Sequence, residues 1–121
     1  MSGKWRTSRP VGDEVYAWHI SNMSLTHEQR KSLEDQGYED LSFRLTIDRK
    51  GPRSFFLNLK VYKNASYTPW SDHEIYGDTF RYECEQRASH FMKFAPTYLD
   101  VLHYHFDYKK RDEESRDFFY S

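Results

Sequence analysis

The residues of this chain that could do chemistry together stand at His103-Tyr104-His105-Phe106-Asp107. Two imidazoles and a carboxylate at alternate positions would share one face of a strand, and nitrogen and oxygen donors of that kind suit zinc. On a helix they part company, because His103 and His105 would diverge by about 200°. His103, His105 and Asp107 are therefore candidate metal ligands only if the segment is extended, and His19, His73 or His90 would have to complete the set. The plainer alternative, surface histidines beside aromatic rings, needs no ion. Other reactive groups select nothing. Cys84 falls on an apolar row where a small hydrophobe is expected, and the chain has neither a G-x-S-x-G elbow nor a glycine-rich phosphate loop. No catalytic residue and no cofactor are assigned. A zinc-dependent hydrolase built on His103, His105 and Asp107 stands as an alternative behind a non-enzymatic reading.

Charge layout says more. The net charge of −1 conceals two lobes. From Ser42 to Lys63, Arg44, Arg49, Lys50, Arg53, Lys60 and Lys63 face only Asp48; from Asp72 to Glu85, Asp72, Glu74, Asp78, Glu83 and Glu85 face only Arg81. With three Trp, ten Tyr and nine Phe, rings outnumber Leu, Ile and Val. Rings in that proportion either replace missing aliphatics in the core or sit at binding surfaces.

The element that must position these groups is a β-hairpin. Leu41, Phe43, Leu45 and Ile47 alternate with Ser42, Arg44, Thr46 and Asp48; Phe55, Leu57, Leu59 and Val61 alternate with Phe56, Asn58, Lys60 and Tyr62. Period two over both arms marks strands at about 41–48 and 54–63 with one buried face. A three-residue loop, Lys50 to Pro52, pairs Ile47 with Phe55 and Phe43 with Leu59, with Gly51 or a neighbour at positive φ. The outer face then carries Arg44, Phe56, Lys60 and Tyr62, with Trp70 nearby: cations among rings, suited to a protein interface or to stacked single-stranded nucleic acid.

Around the hairpin, residues 1–13 read as a basic N-terminal arm and 14–20 as a first strand with Tyr16, Trp18 and Ile20 on one side. Thr26 with Gln29 forms a capping box for a helix over about 27–36, stopped by Gly37. Residues 64–77 read as a loop with a helical turn capped by Ser71. Phe80, Cys84, Ala88, Phe91 and Ala95 keep helical spacing, which predicts a covering helix over about 79–95 ended by Pro96. Residues 98–108 fit a strand through Leu102, Tyr104, Phe106 and Tyr108, or a helix through Leu99, Leu102 and Phe106. The tail, 109–121, is charged and then aromatic, and Phe118, Phe119 and Tyr120 are expected to dock on this chain or on a second copy, which would make a homo-oligomer.

The fold class is α+β: one domain over 1–121, a small antiparallel sheet covered by helices, in ferredoxin-like βαββαβ order if 98–108 is a strand. That order resembles the RNA recognition motif over about half the chain. However, Pro52 and Arg53 separate Lys50-Gly51 from the following strand, and Phe55 and Leu57 belong to the buried row, so the chain is not placed in that family. The HxHxD spacing is similar to that of metallo-β-lactamase-type hydrolases, with Tyr108 where a further His would stand and too few residues for that fold. A single cysteine, no leader and no long apolar run place the chain in the cytoplasm, off the membrane. The function these features imply is a non-enzymatic protein-binding domain. It would act as an inhibitor or adaptor of the kind phages and mobile elements direct at host defence proteins, through Arg44, Phe56, Lys60, Tyr62 and Trp70. Single-stranded nucleic acid is the alternative partner.

Overall fold

The computed structural model describes residues 4–21, 25–36, 41–63 and 69–108. Five strands, β1 (Arg6–Ser8), β2 (Glu14–Ser21), β3 (Leu41–Gly51), β4 (Ser54–Lys63) and β5 (Ser71–Asp78), form one sheet in sequential order, each pair antiparallel. Helix α1 (His27–Asp35) lies between β2 and β3, α2 (Arg81–Phe94) follows β5, and a third helix, α3, occupies 98–108. The fold is α+β, but the βαββαβ order is not adopted. The strands around α1 pair antiparallel, and the last segment is helical.

Helix wins at 98–108 for a local reason. The Thr97 amide donates to Asp100 Oδ2 at 3.2 Å and the Asp100 amide to Thr97 Oγ1 at 3.3 Å, a capping box of the same kind as the one at Thr26. Tyr98, Val101, Leu102 and His105 then fall on one buried stripe. The Thr26 box forms as read, with the Gln29 amide 3.2 Å from Thr26 Oγ1 and the Thr26 amide 3.0 Å from Gln29 Oε1. Its helix buries no residue of its own, and only Leu33 reaches the core.

The hairpin keeps its faces and changes its register. Phe43 pairs with Val61, Leu45 with Leu59 and Ile47 with Leu57, two residues from the pairing the three-residue loop implies. A two-residue shift preserves the side of every side chain. It arises because Gly51 pairs with Ser54, placing Pro52 and Arg53 in the turn, and an irregularity between Arg49 and Gly51 absorbs the odd residue. Proline suits the first corner of a turn, where its fixed φ is an asset. Among the described glycines only Gly12 has positive φ, so Gly51 does not supply it.

Two strands sit where none was expected. The arm contains the edge strand β1, and the loop-like stretch contains β5, held by cross-strand pairs of Lys60 with Asp72 and Asn58 with Glu74. On the inner face Ile20, Phe43, Leu45, Ile47, Leu57, Leu59 and Val61 are buried beneath Cys84, Ala88 and Phe91 of α2, then Ala95, Tyr98, Val101 and Leu102. Helix α2 begins at Arg81, so Phe80 lies outside it and is exposed rather than on the buried row. Trp5 Nε1 donates to Ala95 O at 2.8 Å, and Tyr98 OH donates to Leu41 O at 2.8 Å, tying the helices to the sheet's ends. The tail 109–121, the stop at Gly37 and residues 64–68 lie outside the described residues.

Candidate functional site

The outer face of the sheet is a lattice set by register. One row crosses all five strands as Arg6, His19, Arg44, Lys60 and Asp72; the next runs Ser8, Ala17, Thr46, Asn58 and Glu74. Alternation along β2 would put Glu14 on the inner face with Tyr16. A bulge between Glu14 and Tyr16 turns it over, opposite Asp48. That single irregularity brings a carboxylate against the two central cations.

The outcome is a closed ion network. Arg44 Nε and Nη2 lie 3.0 and 2.6 Å from Glu14 Oε1, Nη1 donates to Ser8 Oγ at 2.7 Å, and Nη2 donates to Arg9 O. Lys60 Nζ reaches Glu14 Oε2 at 2.9 Å and Asp48 Oδ2 at 3.1 Å, and Asn58 Nδ2 donates to Asp48 Oδ2 at 3.2 Å. The side chains of Arg44 and Lys60 are only 14% and 11% exposed. Burial alone would raise the Glu14 carboxyl, but hydrogen bonds from Arg44, Lys60 and the Val11 amide hold it below its usual value. Burial would likewise lower Lys60, and Glu14 and Asp48 keep it raised. Burial lowers His19, helped by Arg44 and Arg6, while it raises Tyr62 and Asp72.

Arg44 and Lys60, read from the sequence as contact residues, are therefore internal fasteners of the β1–β2 turn. Phe56 is half-buried on Gly77, where a Cβ would stand 2.9 Å from its ring. Tyr62 is half-buried as well. Trp70 is exposed on one side, with the Lys63 ammonium 3.8 Å from its ring centre and His105 against it edge-on at 5.8 Å. A concavity of about 390 Å³ remains between Asp48, Lys50, Phe56, Asn58, Asp72 and Glu74.

The metal-ligand candidates separate as a helix demands. His105 is buried, its Nδ1 2.7 Å from His73 Nε2. His103 and Asp107 point elsewhere, lining a concavity of about 380 Å³ with Phe94, Asp100, Tyr104 and Tyr108. Among the described residues no three His, Cys, Asp or Glu side chains are placed to hold a metal ion. Cys84 is buried, and burial pushes its thiol up, away from the thiolate a nucleophile requires.

A different cluster gathers where β2 meets the start of α2. Tyr16 stacks on Trp18 with ring centres 6.0 Å apart, and the Arg81 guanidinium lies 5.6 Å from the Tyr16 ring. Phe80 and Tyr82 follow, with their centres 5.9 Å apart. Tyr16, Phe80 and Tyr82 are 37%, 59% and 54% exposed. Asp78 accepts from the Phe80 amide at 2.9 Å and from Tyr76 OH at 2.6 Å, fixing the backbone that presents them. Sequence patterning missed this cluster because Tyr16 shares the inner face with Trp18 and Ile20 but sits at its end, and because Phe80 fits the spacing of a helix that starts one residue later. Among the described residues no helix is long and apolar enough to cross a membrane. No protein-family model, curated protein or solved structure matches the chain.

Proposed function

We propose that the chain is a non-enzymatic protein-binding domain, an inhibitor or adaptor working in the cytoplasm, whose contact is centred on Tyr16, Phe80, Arg81 and Tyr82. The observation that carries this reading is the exposure of three large rings around one arginine, held by an ordered helix start. Rings and arginine are the residue types that dominate binding energy at protein interfaces, since they cover much area at small conformational cost. Phe56, Tyr62 and Trp70 are candidates for a second contact area, whereas Arg44 and Lys60 are spent inside the fold. The test is affinity purification from the source cell with wild type and with Phe80→Ala/Tyr82→Ala, followed by a binding isotherm on the recovered partner. A partner that the double variant binds at least roughly tenfold more weakly supports the proposal, as loss of two anchors requires. Equal binding at an unchanged fold overturns it.

The nucleic-acid alternative keeps only the hairpin tip, where Arg49, Lys50 and Arg53 are exposed. It predicts affinity for single strands that falls steeply with salt. No binding at low salt dismisses it.

A further inference from the structure

Apart from the contact surface, we propose that the buried His73–His105 pair is a pH-sensitive fastening between β5 and α3, closed at neutral pH and opened by mild acid. The two rings come from segments 32 residues apart and meet through His73 Nε2 and His105 Nδ1 at 2.7 Å, with both side chains buried. One nitrogen must donate and the other accept, so this contact exists only while the shared position holds a single proton.

The surroundings are mostly rings. Phe43 of β3 lies 6.0 Å from His105, Trp70 5.8 Å and Phe106 5.1 Å, and Tyr108 covers His73 at 4.4 Å. Across β4 the residue paired with His73 is Leu59. Titratable or charged groups near the pair include the Tyr108 phenol against His73, the Tyr98 phenol against Phe43, and the Lys63 ammonium on the face of Trp70.

Proton counting then gives the direction. A first added proton can enter the outer nitrogen of the donating ring and leave the N–H···N contact in place. A second must enter the shared position, where two N–H groups would confront each other between two cations. The fastened pair therefore holds at most one added proton. Released histidines, with ordinary values near ~6.5, hold two in acid. The released state binds more protons, so fastening is full above about pH 6.5 and weakens below it, by roughly tenfold per pH unit once one proton separates the states.

Amide hydrogen exchange on the full chain tests this at about pH 7.5 and about pH 5.5, comparing residues 98–108 with α2 after correction for intrinsic rates. The expected result is that protection of α3 relative to α2 falls by roughly tenfold or more in wild type. His73→Gln and His105→Gln, which keep a hydrogen-bonding side chain that does not titrate, should each hold the ratio constant. His19→Gln, on the outer face, should behave as wild type. A ratio independent of pH in wild type overturns the proposal, and so does an equal fall in both the His73 and His105 variants. If one variant fails to fold, the wild-type ratio and the other variant still decide.

Discussion

Two regions of this molecule combine arginine with aromatic rings, and they do opposite things. On the outer face Arg44 stands near Tyr62, and at the start of α2 Arg81 lies over the Tyr16 ring between Phe80 and Tyr82 in the chain. Arg44 has a buried carboxylate, a hydroxyl and a carbonyl within reach of its fork, so its charge is spent holding the β1–β2 turn. Among the described residues the one carboxylate paired with Arg81 is that of Glu85, an exposed contact at 3.6 Å one turn along the helix, and the rings beside Arg81 stay open. Such a solvated pair contributes little to stability. Residue type is therefore a poor guide to a contact surface. What decides is whether a desolvated partner of opposite charge already occupies the arginine.

The largest effect that would sharpen this contrast is at Glu14. Glu14→Gln leaves Arg44 and Lys60 buried with one carboxylate fewer, and should lower unfolding stability by about 3–5 kcal/mol in urea titration. The same residue sets an acid limit. Its folded value lies below the ordinary glutamate value of 4.5, so its contribution is complete above about that pH and is lost as pH falls through the depressed folded value. Thermal unfolding of wild type should fall with acid in that range, and the Gln variant should show a shallower slope. An unchanged slope would mean the network is solvated and the contrast false.

Next in size is Gly77→Ala. A Cβ there meets the Phe56 ring at 2.9 Å, and the displaced ring should cost about 1–3 kcal/mol. No loss would show that Phe56 swings outward freely, which would return it to the contact surface. The smallest change is expected at the patch: Phe80→Ala/Tyr82→Ala should move unfolding stability by no more than about 0.5 kcal/mol per site. A loss of several kcal/mol would show these rings to be core, and the contrast would collapse.

Much of the scaffold is legible from local pattern. The alternation of Phe43, Leu45 and Ile47 marks the inner face because side chains on a strand alternate whatever the register, and Thr26 with Gln29 marks a helix start because both bonds lie within four residues. The same logic was available at Thr97 and Asp100, where the alternating rings of 98–108 obscured it. β5 was illegible because Ser71–Asp78 carries no apolar alternation; its strand exists through pairing with β4, across the sheet. By itself, then, the sequence determined the hairpin's two faces, the capped start of α1 and the covering row of Cys84, Ala88 and Phe91. Only the tertiary structure decided that a bulge turns Glu14 onto Arg44 and Lys60, that Phe80 stays in solvent, and that His73 finds His105. These are encounters between distant segments, and their free energy depends on register and burial, which no local period contains.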